Sequence, residues 1–255
     1  MSNDDGTDAV CARSDHMPRP DWRHAVDLGS SLLTIAAAAT LLWRLTGPHG
    51  PPTNADVASA AVALPDRIAL TTADWSSTQT PKVALVAYSD FRCKFCGDFA
   101  RTTLPSLRKT YFDSGRVAFA FRHMPWDDAD TDAMSASSVA LCAADYGRFW
   151  EVHDWLFARS DELGRAIGGA TSIAESSGGQ KTAQCIADAP ARVRQHASEG
   201  RRFGVLGTPT FFAGIVRDRT VEVRSRIVGA QPTDYFVSVL NDLIYVADQE
   251  SRATQ

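Results

Sequence analysis

Two cysteines separated by two residues, in the run Cys93-Lys94-Phe95-Cys96, carry the chemistry written most directly in this chain. A cysteine attacks sulfur only as its thiolate, and an ordinary pKa of about 8.5 leaves a few per cent of it ionised near neutrality. The start of a helix changes that balance, because its unpaired backbone N–H groups and its dipole favour an anion; thiols there can fall to roughly 3.5–7.5. The i, i+3 spacing brings the second sulfur onto the same face, so Cys96 can resolve a mixed disulfide formed at Cys93. Lys94 adds a positive charge beside the thiolate, though an exposed ammonium contributes little. Each pKa unit of thiolate stabilisation is about 1.4 kcal/mol in favour of the reduced pair, or roughly 30 mV, so a low pKa at Cys93 predicts an oxidising centre. Structural zinc would use the same residue types but needs about four ligands. No second Cys-x-x-Cys or His-x-x-x-His stands nearby, so neither a metal nor another cofactor is expected.

Such a pair works only if a helix begins at Cys93. Upstream, KVALVAYSD from Lys82 is short, continuous and partly β-branched, the pattern of a strand buried on both faces. From Cys93 to about Phe112, residues Phe95, Phe99, Leu104, Leu107 and Tyr111 recur at helical spacing, with Pro105 placed to kink the helix. RVAFAFRH, residues 116–123, reads as a second strand that completes a right-handed βαβ unit, so the sheet is partly parallel. Helical patterns then run from Asp130 to about Phe203, with interruptions expected at Gly147, Gly164, Gly168, Gly178 and Gly179. They predict a helical domain inserted at about 127–203. Thr210–Ala213 and Val221–Val228 are expected as an antiparallel hairpin, and Pro232–Val246 as a closing helix. The aromatic residues between Phe149 and Phe157, with His153 among them, lie at the core spacings of one helix; His123 and His153 read as structural.

The chain has 255 residues, a formal charge of -4 and four lysines, which excludes a polyphosphate partner such as nucleic acid. Leu28–Trp43 is an uncharged apolar run of 16 residues, slightly under the usual 17–25 of a spanning helix and extendable if Arg44 snorkels. Arg13, Arg19 and Arg23 precede it, and after Arg44 no Lys or Arg occurs before Arg67, so the positive-inside rule leaves the N-terminus in the cytoplasm. A cleaved signal peptide is the rival reading, with a small-residue site at Ala36–Ala39, but the apolar run continues through Leu41, Leu42 and Trp43. The expected organisation is a cytoplasmic tail over 1–24, an N-terminal transmembrane anchor over 25–45, a Pro/Gly/Ala-rich linker over 46–65 and a folded domain over 66–248. Five cysteines are an odd set, and Cys11, in the tail, falls on the side where thiols stay reduced.

Several stretches together resemble the DsbA-like branch of the thioredoxin superfamily, in a subgroup with a long helical insertion. They are YSDFRCKFCGDFA, FRHMPW, ALCAADYGRFWEVHDWLF and GVLGTPTFF, and the resemblance spans most of 66–248. It implies an α/β thioredoxin-like fold, catalysis by Cys93 and Cys96, and a cis Thr208-Pro209 bond facing them. Phe91, Lys94, Phe95, Thr208 and Pro209 would border a groove for extended substrate chains. Lys94-Phe95 departs from the Pro-Phe, Pro-Tyr or Pro-His pairs more familiar in that family, and this dipeptide tunes the redox potential. The resemblance also implies that Cys142 and Cys185 pair as a structural disulfide within the insertion; the alternative is two buried free thiols. The implied activity is donation of the Cys93–Cys96 disulfide to reduced exported proteins on the outer face of a bacterial cell membrane. Reoxidation would fall to a membrane quinone-linked partner resembling DsbB or vitamin K epoxide reductase. A disulfide isomerase or reductase, or a non-catalytic chaperone-like binding domain, are the competing readings.

Overall fold

Strand β2 (Val83–Ser89) has every residue buried, which is why its sequence is apolar throughout instead of alternating. It pairs in parallel with β3 (Val117–His123), in register from Val83 opposite Val117 to Ser89 opposite His123. On its other side it pairs antiparallel with β4 (Thr210–Arg217), which in turn pairs with β5 (Thr220–Val228). The short edge strand β1 (Arg67–Ala69) completes a five-stranded sheet of order β1-β5-β4-β2-β3. In this computed structural model the described residues are 64–70, 81–127 and 129–253, so the expected tail and anchor, and nearly all of the expected linker, lie outside them. Among the described residues no helix is long and apolar enough to cross a membrane.

The β4–β5 hairpin is longer than expected, turning at Asp218 and Arg219, both of positive φ as a tight two-residue turn requires. A register shift opposite Ala213 and Gly214 leaves Arg224 of β5 as the extra, bulged residue, and a Cβ at Gly214 would stand 2.0 Å from the Glu222 carbonyl oxygen. Only glycine fits there.

Helix α1 (Lys94–Thr102) and helix α2 (Leu104–Leu107), extended by a π turn at Arg108–Phe112, connect β2 to β3. The single kinked helix expected here is thus divided at Thr103. Pro105 falls in the first turn of α2, where its missing N–H costs nothing. The insertion consists of α3 (Thr131–Ala144), α4 (Phe149–Phe157), α5 (Leu163–Gly178) and α6 (Gln180–Arg202). Gly147 and Gly179, both of positive φ, separate these helices as expected. Gly164 and Gly168 do not interrupt: they lie inside α5, whose buried stripe of Leu163, Ala166, Ala170 and Ala174 holds the helix through them.

Helix α7 (Thr233–Ala253) closes the domain and runs past its expected end at Val246. Its apolar face ends with Phe236, Leu240, Leu243 and Ala247, and the polar last turns are tied down instead by Asp248 paired with Lys82 at 2.8 Å and by Glu250 paired with Arg217. One face of the sheet buries Leu85, Phe99, Phe119, Phe211 and Phe236 beneath α1, α4 and α7. The other buries Val86, Tyr88, Ala120, Met124 and Phe212 beneath α6, with Ala197 at the contact.

Candidate active site

Cys93 caps α1. Its sulfur accepts the Cys96 backbone N–H at 3.4 Å, while its own N–H donates to the Asp90 carbonyl at 3.1 Å, which fixes the turn out of β2. Both cysteines are free thiols, Cys93 half-buried and Cys96 only 1% exposed. That difference in surroundings splits their acidities. Cys93 is lowered to about 6, chiefly by the hydrogen bond from the Cys96 thiol and further by the Thr208 side-chain hydroxyl and the backbone N–H groups of Cys96 and Phe95, against an opposing effect of burial. Cys96 is pushed far up, first by burial and then by the hydrogen bond to Cys93 and the charge there. The pair therefore holds one anion and one proton at pH 7, with Cys93 roughly nine-tenths thiolate.

Thr208 faces this pair. Its peptide bond to Pro209 is cis, and its carbonyl oxygen accepts the Cys93 S–H at 3.1 Å. A carbonyl cannot donate, so this contact favours the protonated sulfur and loosens when Cys93 ionises. Beyond Pro209 the chain enters β4, with the Thr210 hydroxyl donating to the Gly207 carbonyl at 2.6 Å.

Of the residues expected to border a substrate groove, Phe95 is 61% exposed at the first turn of α1. Phe91 is a correction: it is fully buried, its ring 5.5 Å from Phe121 and 4.7 Å from Phe157 between centroids. The chain leaving β2 turns this side chain into the same core as Leu85 and Ala87, so it supports the active-site turn from beneath. Lys94 is also differently engaged than expected. Its ammonium pairs with Asp98 at 2.8 Å, one turn along the exposed side of α1, so its charge is largely spent there and not on the Cys93 sulfur.

Three residues absent from the expected site complete it. A cleft of about 460 Å³ opens onto Cys93 and Thr208, with Trp126 and Leu206 among its walls and Asp90 at its base. The buried Asp90 carboxylate accepts the backbone N–H of Arg92 at 2.9 Å and that of Trp126 at 3.1 Å, tying the turn before α1 to the loop after β3; its burial holds its pKa above the usual carboxylate range. The signal available for Trp126 was a bulky aromatic just past the end of a strand, in FRHMPW, where no core position remained for it.

Away from this site, Cys142 of α3 and Cys185 of α6 are joined as a disulfide, with Cα atoms 5.9 Å apart. His123 and His153 are buried, and burial pushes both below the ordinary imidazole value, leaving them neutral. His153 is packed among Phe91, Phe121, Phe149 and Phe157. Among the described residues no group of three or more His, Cys, Asp or Glu side chains is arranged to hold a metal ion.

A family model described as Thioredoxin matches residues 78–224. The Na(+)/H(+) antiporter NhaA 3 of Salinispora tropica is 30% identical over 193 residues, which is 72% of this chain and 29% of that protein. A probable disulfide bond formation protein D of Bacillus anthracis is 32% identical over 75 residues, 29% of this chain and 35% of that one. The chain thus spans about a third or less of the length of these curated relatives. Among solved structures, Wolbachia pipientis alpha-DsbA1 superposes with a TM-score of 0.56 at 19% identity, covering 75% of this chain and 98% of that one. Pseudomonas aeruginosa DsbA2 gives 0.50 at 20% identity, covering 71% and 96%. At these identities the likeness is one of fold.

Proposed function

Because the chain belongs to the thioredoxin family, in its DsbA-like branch, we propose that it is a thiol–disulfide oxidoreductase that oxidises reduced exported proteins through Cys93 and Cys96. One observation carries this reading: a half-exposed cysteine at a helix start, lowered to about 6, backed by a buried cysteine that keeps its proton.

The exchange begins with the Cys93–Cys96 disulfide. A substrate thiolate attacks the accessible Cys93 sulfur; the Cys93–Cys96 bond breaks, and Cys96 leaves with the electron pair and takes up a proton. A second substrate thiolate then attacks the substrate sulfur of the mixed disulfide, and Cys93 departs as a thiolate. The substrate has lost two electrons and its two thiol protons, and the pair has gained two electrons and one proton, the other proton passing to solvent. A leaving thiolate of low pKa departs faster, which favours release from Cys93 and so net oxidation of substrate. At pH 7 a thiol at 6 in place of 9 favours the reduced pair about tenfold, or about 1.4 kcal/mol, which raises the potential by roughly 30 mV. The pair returns to the disulfide by passing its two electrons to a membrane quinone-linked partner resembling DsbB or vitamin K epoxide reductase.

In this reading residues 1–24 are a cytoplasmic tail, 25–45 a single-pass anchor and 46–65 a linker, and the domain over 66–248 works on the outer side of a bacterial cell membrane. Phe95, Thr208 and Pro209 border the substrate path, and the Cys142–Cys185 bridge is structural. The low pKa at Cys93 stabilises the reduced pair and so weighs against a reductase, which must give its electrons away. Equilibration of the full chain with glutathione buffers at pH 7 tests the assignment. A potential above about -200 mV supports the oxidase, whereas one near the roughly -270 mV of thioredoxin overturns it. Cys93→Ser should abolish oxidation of a reduced substrate protein, and Cys96→Ser should accumulate mixed disulfides.

A further inference from the structure

The cleft beside Cys93 has walls of two kinds. Trp126 and Leu206 leave 60% and 79% of their surface exposed, an unusual state for large apolar side chains. Asp127 and Asp130 line the same cleft, and Arg92 is the one cation among the described lining residues. Arg92 is already engaged, its Nε 2.5 Å from Asp130 and its Nη2 3.0 Å from Asp132. The Asp127 carboxylate accepts the Ala129 backbone N–H at 2.8 Å, a neutral partner that leaves its charge in place. One guanidinium set against Asp127 and Asp130, and shared with Asp132 outside the cleft, leaves the rim net negative.

An exposed indole, a flexible aliphatic side chain and a carboxylate are what a long cationic side chain needs. Its methylene stem packs on the apolar walls, its head lies over the ring, and its charge meets the acid. The reacting sulfur opens into the same cleft, so a chain presenting its cysteine to Cys93 must lay its neighbouring residues between Trp126 and Leu206.

We propose that this cleft selects substrate cysteines flanked, within one or two residues, by Lys or Arg, with Trp126 and Asp127 as the residues that read the flanking side chain. The inference rests on the redox function proposed above and adds to it a sequence preference among extended, reduced polypeptides. The negative rim also raises the local concentration of basic chains, an effect that salt screens.

The test uses the full chain in its oxidised form and three short cysteine peptides that differ only in flanking residues: arginine, glycine or glutamate. A flanking charge alters the peptide's own thiolate fraction, so each rate is divided by that peptide's rate with bis(2-hydroxyethyl) disulfide, a small uncharged disulfide without a cleft. The normalised rate is expected to be about 5–10-fold higher for the arginine than for the glutamate peptide at low ionic strength, and the ratio to approach unity in about 0.5 M salt. Asp127→Asn, which retains the acceptor for Ala129, and Trp126→Ala should each reduce the ratio by about threefold. Equal normalised rates for the three peptides, or a preference that survives both substitutions and salt, overturn the proposal and leave the redox reading intact. If no peptide reduces the oxidised chain, the redox reading falls and this inference with it.

Discussion

The division of labour between the two sulfurs can be broken at one atom. The Cys96 thiol makes the largest contribution to the low pKa of Cys93, and Cys96→Ala removes it while keeping the backbone N–H that this position donates. A hydrogen bond to a charged group is worth roughly 1.5–3 kcal/mol, and about 1.4 kcal/mol corresponds to one pKa unit. Cys93 should therefore move from about 6 to about 7–8, and its thiolate share at pH 7 should fall from roughly nine-tenths to between a tenth and a half. Cys142 and Cys185 are bridged and do not titrate, so a Cys11→Ser background leaves Cys93 as the one reporting thiol. Thiolate absorbance at 240 nm and the rate of alkylation by iodoacetamide, each followed from pH 4 to 10 as the experimental range, should give the same midpoint. A variant whose midpoint stays within about 0.3 of the parent would mean that the helix end alone makes the anion, and the role assigned to the buried partner would be wrong.

Three further outcomes follow from the same geometry. The reduced form's thiolate advantage exists above pH 6 and is lost as pH falls through that value, so the midpoint potential should change by about 60 mV per pH unit below pH 6 and by about 30 mV above it; one slope of 60 mV across pH 5–8 would remove the low pKa. Replacing both Cys142 and Cys185 by Ala releases a loop closed across 43 residues, worth about 4 kcal/mol in the chain-entropy account, and denaturant unfolding that loses less than about 1 kcal/mol would show that α3 and α6 hold one another without the bridge. Phe91→Ala should cost about 3–5 kcal/mol of stability with substrate selectivity unchanged, and a stable variant with weakened substrate binding would return that ring to the groove.

The elements that position the sulfurs were readable because each had a single physical cause. An unbroken apolar run needs cover on both faces, and β2 has it; the strand–helix–strand order required a parallel pair, and β2 and β3 form one. What escaped depended on direction or on long-range partners. Periodicity places Phe91 after a strand but does not say to which side the turn sends its ring. The pairing of Lys94 with Asp98 is visible as an i, i+4 spacing, yet spacing does not decide whether the ammonium turns to that acid or to the adjacent sulfur. The last turns of α7 offer no apolar repeat, being held by Lys82 and Arg217 from distant parts of the chain. Gly164 and Gly168 read locally as breaks, whereas the alanine stripe of α5 decides the matter by burial. Leu206 gave no signal at all, since a single leucine beside Gly207 is as compatible with the core as with a cleft.

The helical insertion has a bearing on the chemistry that its position in the sequence obscures. The chain enters it after β3, through the loop that carries Trp126, and returns through the loop that carries Leu206 and Thr208. These two crossings supply walls of the cleft at Cys93, so the insertion shapes that cleft even though it contributes neither of its sulfurs. Asp90 couples the first crossing to the active-site turn through the Trp126 and Arg92 backbone N–H groups. The second crossing is steadied where α6 meets the sheet, with the Tyr88 hydroxyl donating to Glu199 and the Arg226 guanidinium to the Phe203 carbonyl at 2.7 Å. Cys142 lies in the helix that follows the first crossing and Cys185 in the helix that precedes the second, so their bridge ties together the two elements from which the walls depart.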